Sequence, residues 1–399
     1  MVMYPEKHWL LPEGIDEVLP PTAWQLEQLR RRLLDLYYSW GYELVSPPFV
    51  EYLDSLLIGT GSELDLHTFK LIDQLNGRTL GVRADMTPQV ARIDAQHRQD
   101  NPTRWCYMGT VLHTRSDGFG GSRAPIQFGA ELYGHAGVAS DLEILSLLLT
   151  TLEHVPLPDI HLDLGHVAIF RCLVAEAQLN ARQERQLFEI LQRKALPELH
   201  QHLQQLTVPA PLRQRLLALA DLNGGADVLN QARQLLASAP DEVHQALETL
   251  EHVVAALQRQ WPKLPVHIDL AELRGYRYHT GLVFAAYMLG QGQEVARGGR
   301  YDDIGQIFGR ARPATGFSAD LKKLLLLGQP QTAHTRPVER ILAPADSDPA
   351  LQHCIDELRR TGHRVVHSLP GSDQAASCQQ HLVYRDHAWQ VVPLDLNRS

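Results

Sequence analysis

The stretch Leu273–Asp303, LRGYRYHTGLVFAAYMLGQGQEVARGGRYDD, decides how this chain is organised. After Tyr278 the run HTGLVFAAY carries the β-branched, aromatic and small residues of a strand, and the later run RGGRYDD predicts a glycine turn crowded with charge. Arginines flank a glycine just before the strand, and charged and aromatic side chains return from Arg300. The pattern fits either a hairpin with an exposed polar face or a binding site on paired strands, and spacing alone leaves both open.

Composition limits the range of functions. With 399 residues, 44% of them hydrophobic, the chain is long enough for about two or three domains with hydrophobic cores. Its net charge of −9 and pI near 6.1 provide no overall field that would attract phosphate backbones. We therefore expect no nucleic-acid partner, although the net charge does not exclude a local basic patch.

The cysteines and the apolar segments bear on location. Cys106, Cys172, Cys354 and Cys378 lie far apart without a C-x-x-C pair, which argues against a disulfide framework and a clustered zinc site. The first residues lack a signal-peptide core, and the apolar run near Leu142 is too short to span a bilayer. We expect a soluble, cytoplasmic protein with no metal site and no cofactor.

Hydrophobic periodicity predicts alternating helices and strands in the first part of the chain. A helix is predicted over Thr22–Trp40, and the Asn76-Gly77 pair predicts a hairpin turn between two short strands. The other predicted elements are strands at Tyr42–Val50, Thr68–Ile72, Thr79–Arg83, Ile160–Gly165 and Val266–Leu270, and helices at Met86–Ala95 and Asp141–Leu152.

Two further strands, WCYMGTVLH and PIQFGAELYG, flank a glycine-rich loop between Arg104 and Gly134. In the second of them the period of two places Gln127, Gly129 and Glu131 on one face and apolar residues on the other. Two acceptor-bearing side chains with a glycine between them form a cup for a ligand that carries donors. A strand face exposed to solvent is the alternative, and the pattern leaves it open.

The chain changes character after residue 167, where Leu, Gln, Ala, Arg and Glu recur at helical spacing. We predict a core of residues 1–167 and 262–328, an all-helical insertion of residues 168–261, and a small α/β domain of residues 337–399. The linker QPQTAHTRP precedes this last domain, in which we predict strand, helix, strand and two weaker strands.

Six motifs follow one another along the chain: Pro48–Glu51 (PFVE), Arg83–Thr87 (RADMT), Gln127–Glu131 (QFGAE), Leu273–Tyr278 (LRGYRY), Gly298–Asp303 (GGRYDD) and Ala314–Ser318 (ATGFS). This ordered series resembles the class II catalytic core of histidyl-tRNA synthetases. The resemblance implies an α+β fold with an antiparallel six-stranded sheet flanked by helices. It also implies dimerisation through the region that includes Pro48.

The positions that hold the nucleotide in the synthetases depart from that pattern. Where the synthetases carry an arginine and then a glutamate, this chain has His113 and Arg115, and the last motif reads Asp320-Leu-Lys322-Lys323 in place of Gly-Leu-Glu-Arg. Lysine does not replace a stacked, bidentate arginine, and an aspartate repels triphosphate oxygens. The C-terminal segment is short and has more acidic than basic residues, a poor basis for binding tRNA. We predict no catalytic residues and no synthetase activity.

The amino-acid pocket, by contrast, is recognisable. The resemblance assigns Asp85 and Thr87 to the ligand's α-amino group, with Gln127 orienting the same end. Arg274 matches the arginine that meets the ligand carboxylate, and Glu131 matches the carboxylate that accepts from an imidazole. Complementary charges in a cup that excludes water form a consistent site for L-histidine.

The aromatic side of the pocket is only partly like that of the synthetases. Tyr278 matches the first residue of their tyrosine pair, but the second is His279, and the preceding aspartate is Arg277. These changes bear on the affinity and pose of the ligand. We include both Tyr278 and His279 in the predicted histidine-binding set.

A histidine pocket beside an altered nucleotide site indicates sensing. The runs LPEGIDEVLPP, RADMTPQVARI, QFGAELYG and RGYRYHTGLVFAAY resemble the regulatory subunits of ATP phosphoribosyltransferase more than the synthetases. This resemblance implies a non-catalytic subunit of the first enzyme of histidine biosynthesis, which takes L-histidine as effector. It also implies a short catalytic partner chain and dimers within a hetero-octamer. A histidine-activating enzyme is the alternative, and an ATP–pyrophosphate exchange assay separates the two.

Overall fold

The computed structural model describes residues 10–58, 62–97, 100–116, 121–155, 157–273, 275–276, 278–290, 292–328, 339–369, 371 and 377–394. The chain divides into two compact units, one up to residue 329 and one from residue 330. The predicted linker over residues 329–337 lies outside the described residues. The domain boundaries drawn from the sequence stay predictions.

The first unit combines strands with helices on either side of its main sheet. Its strands are β1 (Glu43–Leu44), β2 (Val50–Tyr52), β3 (Lys70–Ile72), β4 (Thr79–Val82), β5 (Thr103–Thr110), β6 (Ile126–Tyr133), β7 (Ile160–His166), β8 (Asn223–Gly224), β9 (Val266–Asp269), β10 (Leu282–Met288), β11 (Glu294–Arg300) and β12 (Ala314–Asp320). Its helices are α1 (Thr22–Ser39), α2 (Leu53–Leu56), α3 (Ser62–His67), α4 (Thr87–His97), α5 (Val138–Glu153), α6 (Val167–Glu176), α7 (Ala181–Gln192), α8 (Leu196–Gln205), α9 (Ala210–Asp221), α10 (Val228–Leu235), α11 (Asp241–Gln260) and α12 (Leu321–Leu327), with a 3-10 helix at Ile304–Phe308.

The main sheet has nine strands in the order β1-β5-β6-β12-β11-β10-β7-β9-β8. Its central six strands, from β5 to β7 in this order, pair antiparallel with one another, as the resemblance implied. Outside these six, β1 pairs parallel with β5 and β9 pairs parallel with β7, so the complete sheet is mixed. The predicted α+β class is confirmed.

One face of this sheet packs against α1, α5 and α12. The predicted apolar face of α1 is confirmed, because Leu26, Leu29 and Leu33 are buried there at helical spacing. On β6, Phe128 belongs to the same core and its ring centroid lies 6.5 Å from that of Tyr37 on α1. The opposite face of β6 is therefore left for the polar residues of the site.

The turn before β10 begins the deciding stretch. The strand predicted for the run HTGLVFAAY is confirmed from Leu282 onward, but its start is wrong, because β10 begins only at Leu282. The amides of Tyr278 and His279 both donate to the Gly275 carbonyl, at 2.7 and 2.8 Å. Gly275 has a φ of 65°, which glycine adopts without steric cost, so the chain closes into a tight turn here.

The run RGGRYDD was predicted to form a glycine turn, and that prediction is wrong for its first half. Arg297–Arg300 belong to β11, where Gly298 pairs with Phe284 on one side and Phe317 on the other. A Cβ at position 298 would lie 2.2 Å from the Gly316 carbonyl oxygen. The glycine is required by the close approach of neighbouring strands, not by a turn.

Two predictions about the segment after α1 have different outcomes. The single strand predicted over Tyr42–Val50 is wrong: β1 and β2 are separate short strands, and the Pro47–Pro48 pair between them lacks the amide donors that a ladder needs. The hairpin predicted at Asn76-Gly77 is confirmed by the antiparallel pairing of β3 and β4. With β2 these strands form a small sheet of three, in the order β2-β4-β3.

The predicted insertion contains α6 to α11, and its helices bury apolar residues at helical spacing. The prediction that it is all-helical is wrong at β8, which pairs antiparallel with β9. The chain between α9 and α10 passes the edge of the sheet, and there β8 pairs with backbone groups of β9 that would otherwise lack a strand partner. An ion pair of 2.7 Å between Lys194 Nζ and Asp269 Oδ2 adds a second link to β9.

The second unit is a small α/β domain with a four-stranded sheet. It contains β13 (Arg340–Ala343), α13 (Pro349–Arg360), β14 (Arg364–His367), β15 (Gln380–Arg385) and β16 (Ala388–Pro393). The strand order is β14-β13-β15-β16, and Ile341, Leu351, Ile355 and Leu382 form its core. The predicted succession of elements is confirmed, including the two weaker strands.

Candidate ligand-binding site

Glu131 lies at the centre of the candidate site, on β6, with only 1% of its surface exposed. The Tyr107 hydroxyl donates to Oε1 at 2.9 Å, and the Tyr301 hydroxyl donates to Oε2. The residue opposite on β12 is Gly316, where a Cβ would lie 1.5 Å from Oε2. The carboxyl group therefore occupies space that only a glycine leaves open.

The protonation of this carboxyl group is set by its burial. Burial raises the pKa of Glu131 to about 8, and the hydrogen bonds from Tyr301 and Tyr107 lower it by less. Burial also raises the pKa of both tyrosine hydroxyls, which keeps them protonated as donors. Glu131 thus changes charge near pH 8, and a ligand N–H group that hydrogen-bonds to it would favour the carboxylate form.

A second polar group lies beside Glu131, at the start of α4. One Asp85 carboxylate oxygen accepts from the Thr87 amide at 2.9 Å and from the Gln127 side-chain amide at 2.8 Å. The Gln127 side-chain oxygen, Oε1, accepts from the Met86 backbone amide at 2.8 Å. The Thr87 hydroxyl lies 2.9 Å from the Tyr107 hydroxyl, which continues the network to Glu131.

The alternation predicted for β6 is confirmed. Phe128, Ala130 and Leu132 are buried in the core on one face, while Gln127 and Glu131 make their hydrogen bonds on the other. The structure thus brings Asp85, Thr87, Gln127 and Glu131 into one connected network. Their role in binding a ligand stays a prediction.

Tyr278 and His279 enter the site from the turn before β10. The Tyr278 ring centroid lies 4.9 Å from that of Tyr301 and 5.3 Å from that of His279. The Tyr278 hydroxyl is buried, and no hydrogen-bond partner for it exists among the residues that the structure describes. Buried hydroxyl groups are normally paired, which makes the Tyr278 hydroxyl a candidate for contact with a ligand. Arg274 and Arg277 lie outside the described residues.

Sequence reasoning did not assign Tyr107, Tyr301 and Gly316 to the site. Tyr107 on β5 faces Gly129 of β6 in the strand register, and this pairing brings its hydroxyl to Glu131. The alternation within WCYMGT could have placed Tyr107 on a polar face, but the pairing of strands far apart in sequence was needed to identify its partner. The same holds for Gly316.

Two charged residues of the deciding stretch, Arg300 and Asp302, make structural contacts. The Arg300 guanidinium lies 2.9 Å from Asp141 Oδ1 on α5 and donates to the Ser140 hydroxyl at 2.7 Å. Asp302 accepts from the Ala314 amide at 3.0 Å. These contacts fix the end of β11 to its neighbours and leave Tyr301 pointing to Glu131.

On the side that holds a nucleotide in the synthetases, charges are engaged within the chain. Asp320 accepts from the amides of Ile126 and Lys322, at 3.1 and 3.0 Å, and thereby caps α12. Lys323 donates to the Glu294 carbonyl at 2.7 Å. In the strand register Asp320 is paired with Gln127, so a carboxyl group lies next to the pocket and disfavours a triphosphate there.

The two changed positions of the β5–β6 segment differ in their surroundings. His113 Nε2 lies 2.9 Å from the Ala84 carbonyl oxygen and donates to it. Arg115 is exposed.

Among the described residues, no group of three or more His, Cys, Asp or Glu side chains is arranged to hold a metal ion. Nor is any described helix long and apolar enough to cross a membrane.

The fold and site define a protein of the class II aminoacyl-tRNA synthetase type. Residues 14–324 match the family model described as histidyl-tRNA synthetase, and residues 338–392 match that of the ATP phosphoribosyltransferase subunit HisZ C-terminal domain. A protein of Thioalkalivibrio sulfidiphilus named ATP phosphoribosyltransferase regulatory subunit is 59% identical, over 98% of this chain and 100% of its own length. The chain belongs to the family of ATP phosphoribosyltransferase regulatory subunits.

Solved structures agree with this assignment. A crystal structure titled ATP phosphoribosyltransferase regulatory subunit/histidyl-tRNA synthetase, from Bacillus halodurans, superposes with a TM-score of 0.79 at 25% identity, over 92% of this chain and 95% of that one. A histidyl-tRNA synthetase from Nostoc, at 19% identity, superposes with a TM-score of 0.76 over 94% and 91% of the two chains. This second similarity shows the fold alone. Family membership supports a regulatory, non-catalytic role.

Proposed function

We propose that this chain binds L-histidine in the Glu131 pocket and thereby regulates a separate, short catalytic chain of ATP phosphoribosyltransferase, which it also activates. The observation that carries the proposal is the buried Glu131 carboxyl group beside the buried Tyr278 hydroxyl, which has no hydrogen-bond partner within the described part of the chain. An unpaired buried polar group costs about 1–3 kcal/mol, and a polar ligand in the pocket offsets that cost.

The chemistry of the pocket fits a free amino acid with an imidazole ring. Glu131 accepts the imidazole N–H, and Asp85 accepts from the α-ammonium group, with Gln127 and Thr87 holding that end in place. The family resemblance assigns Arg274, which lies outside the described residues, to the ligand carboxylate, while Tyr278 and His279 line the aromatic side. Each charge of histidine thus meets a complementary group, which supports histidine over an apolar amino acid.

The nucleotide side supports regulation rather than activation. Aminoacyl-adenylate formation needs positive charge at the α-phosphate, and losing one such contact costs on the order of 3 kcal/mol in the transition state. In this chain Asp320 brings a carboxyl group to that side, and Lys323 donates to a backbone carbonyl. We therefore assign no catalytic residue and no cofactor.

Regulation requires a partner. We propose that the chain dimerises and that four regulatory and four short catalytic chains assemble into a hetero-octamer. Histidine then favours the inhibited arrangement, with a coupling free energy of about 1–3 kcal/mol between the two sites. The four cysteines are free, which supports a reducing, cytoplasmic location.

Reconstitution tests this function. Purified wild-type chain is mixed with the short catalytic chain, and phosphoribosyl transfer is measured with and without L-histidine. We expect the mixture to exceed the activity of the catalytic chain alone, and histidine to inhibit it. Glu131→Gln should lose the histidine response, whereas Glu153→Gln, a substitution on α5 at the hydrogen bond to Trp261, should keep it.

Two outcomes would contradict the proposal. If the catalytic chain alone were as active as the mixture, the chain would not be an activator. If the chain by itself catalysed robust histidine-dependent ATP–pyrophosphate exchange, it would be a histidine-activating enzyme.

A further inference from the structure

The turn that carries Tyr278 and His279 also carries an aromatic residue that packs elsewhere. The Tyr276 ring centroid lies 5.2 Å from that of Phe170 on α6 and 5.6 Å from that of Phe188 on α7. Tyr278, two residues later, packs instead against Tyr301 in the site. A single turn therefore contacts both the candidate pocket and the first two helices of the insertion.

Polar contacts fix Tyr276 to these helices at both its side chain and its backbone. The Tyr276 hydroxyl donates to Glu184 Oε1 on α7 at 2.6 Å. Arg171 on α6 donates to the Tyr276 carbonyl at 2.6 Å, and its guanidinium carbon lies 5.1 Å from the centre of the Tyr276 ring. Hydrogen bonds to charged groups are stronger than those between neutral groups, so α6 and α7 hold this residue firmly.

The turn itself is closed by short contacts. The Tyr276 amide donates to the Leu273 carbonyl at 2.9 Å, and the amides of Tyr278 and His279 share the Gly275 carbonyl. A Cβ at position 275 would lie 2.4 Å from His279 Nδ1. Because these hydrogen bonds tie Tyr276 to Leu273, and Tyr278 and His279 to Gly275, a displacement of Tyr276 is expected to shift Tyr278 and His279 with it.

We propose that Tyr276 is a positioning residue that, through Arg171 and Glu184, couples ligand occupancy of the Glu131 pocket to the arrangement of α6 and α7. This inference rests on the proposed function and adds the route by which the pocket reaches the insertion. A ligand that contacts Tyr278 and His279 orders the turn, and the turn orders α6 and α7. Coupling between binding events is reciprocal, so a change at α6 and α7 also changes the affinity of the pocket.

Calorimetric titration of L-histidine into the full chain tests the coupling. Tyr276→Phe removes only the hydroxyl, and Glu184→Gln removes only the charge of its partner. Each substitution is expected to weaken histidine binding by about fivefold or more, within the usual range for coupled sites. Because the two side chains act through one hydrogen bond, the double variant should bind histidine about as tightly as the single variant with the lower affinity. Glu251→Gln is the matched control, because it removes a paired carboxylate between α10 and α11, 2.5 Å from Arg233.

Amide hydrogen exchange supplies a readout that a purely structural role would not move. Histidine should slow exchange in α6 and the first turn of α7 in the wild type and in Glu251→Gln, but not in Tyr276→Phe or Glu184→Gln. Should Tyr276→Phe fail to fold, Glu184→Gln, at a half-buried helical position, decides alone.

The outcomes separate the two proposals. No histidine binding by the wild type would overturn the proposed function, and the coupling with it. The coupling would be overturned, and the histidine pocket left intact, if the wild type binds histidine and both Tyr276→Phe and Glu184→Gln match it. They would have to match it in affinity and in the protection of α6 and α7 that histidine causes.

Discussion

Replacing Glu131 by glutamine is predicted to make the ligand-free protein more stable at alkaline pH while removing histidine binding. Burial raises the pKa of Glu131 from 4.5 to about 8, so the folded state favours the protonated carboxyl group. Below pH 4.5 both folded and unfolded chains carry the proton, and the contribution of this group to stability is fully present. As the pH rises toward 8 the unfolded chain ionises first, and the free energy of unfolding falls across that window.

The magnitude follows from the linkage relation. For these two pKa values, the wild type loses about 3 kcal/mol of stability between pH 5 and pH 8 through this one group. Glutamine does not ionise, so Glu131→Gln should lack that loss. Urea unfolding followed by circular dichroism at several pH values gives the difference between the two proteins, in which all other titrating groups cancel. Parallel stability curves for the two proteins would refute the buried, proton-binding carboxyl group.

The remaining predictions concern packing and a buried imidazole. Gly316→Ala should lower the free energy of unfolding by about 1–3 kcal/mol and abolish histidine binding, because the added Cβ overlaps the Glu131 carboxyl group. Thermal unfolding measures this loss of stability. Gly292→Ala is the control, because a Cβ there meets no neighbour. Burial lowers the pKa of His166 to about 4, so stability should fall as the pH drops from 6.5 toward 4. His166→Phe should reduce this acid sensitivity in acid unfolding, and an unchanged profile would contradict it.

Much of the fold could be predicted because it depends on local patterns. The period of two in PIQFGAELYG separates the core residue Phe128 from Glu131, and the spacing of leucines in α1 identifies its buried face. The Asn-Gly pair identifies the hairpin between β3 and β4. In each case the residues that determine the structure are close together in the sequence.

What could not be predicted depends on contacts between distant segments. Gly298 resembles a turn residue locally, yet it lies within β11 because Phe284 and Gly316 approach it from neighbouring strands. Tyr107 and Gly316 belong to the site only through the registers of β5 and β12 with β6. A periodic pattern carries no information on which strands become neighbours.

The most direct test of the account is a calorimetric titration of L-histidine into the purified chain at pH 7, without ATP and without a partner chain. The account predicts saturable binding at one site per chain for the wild type and its loss in Glu131→Gln. A wild-type chain that binds no histidine, or a Glu131→Gln variant that binds it as well as the wild type, would contradict the assignment of the pocket.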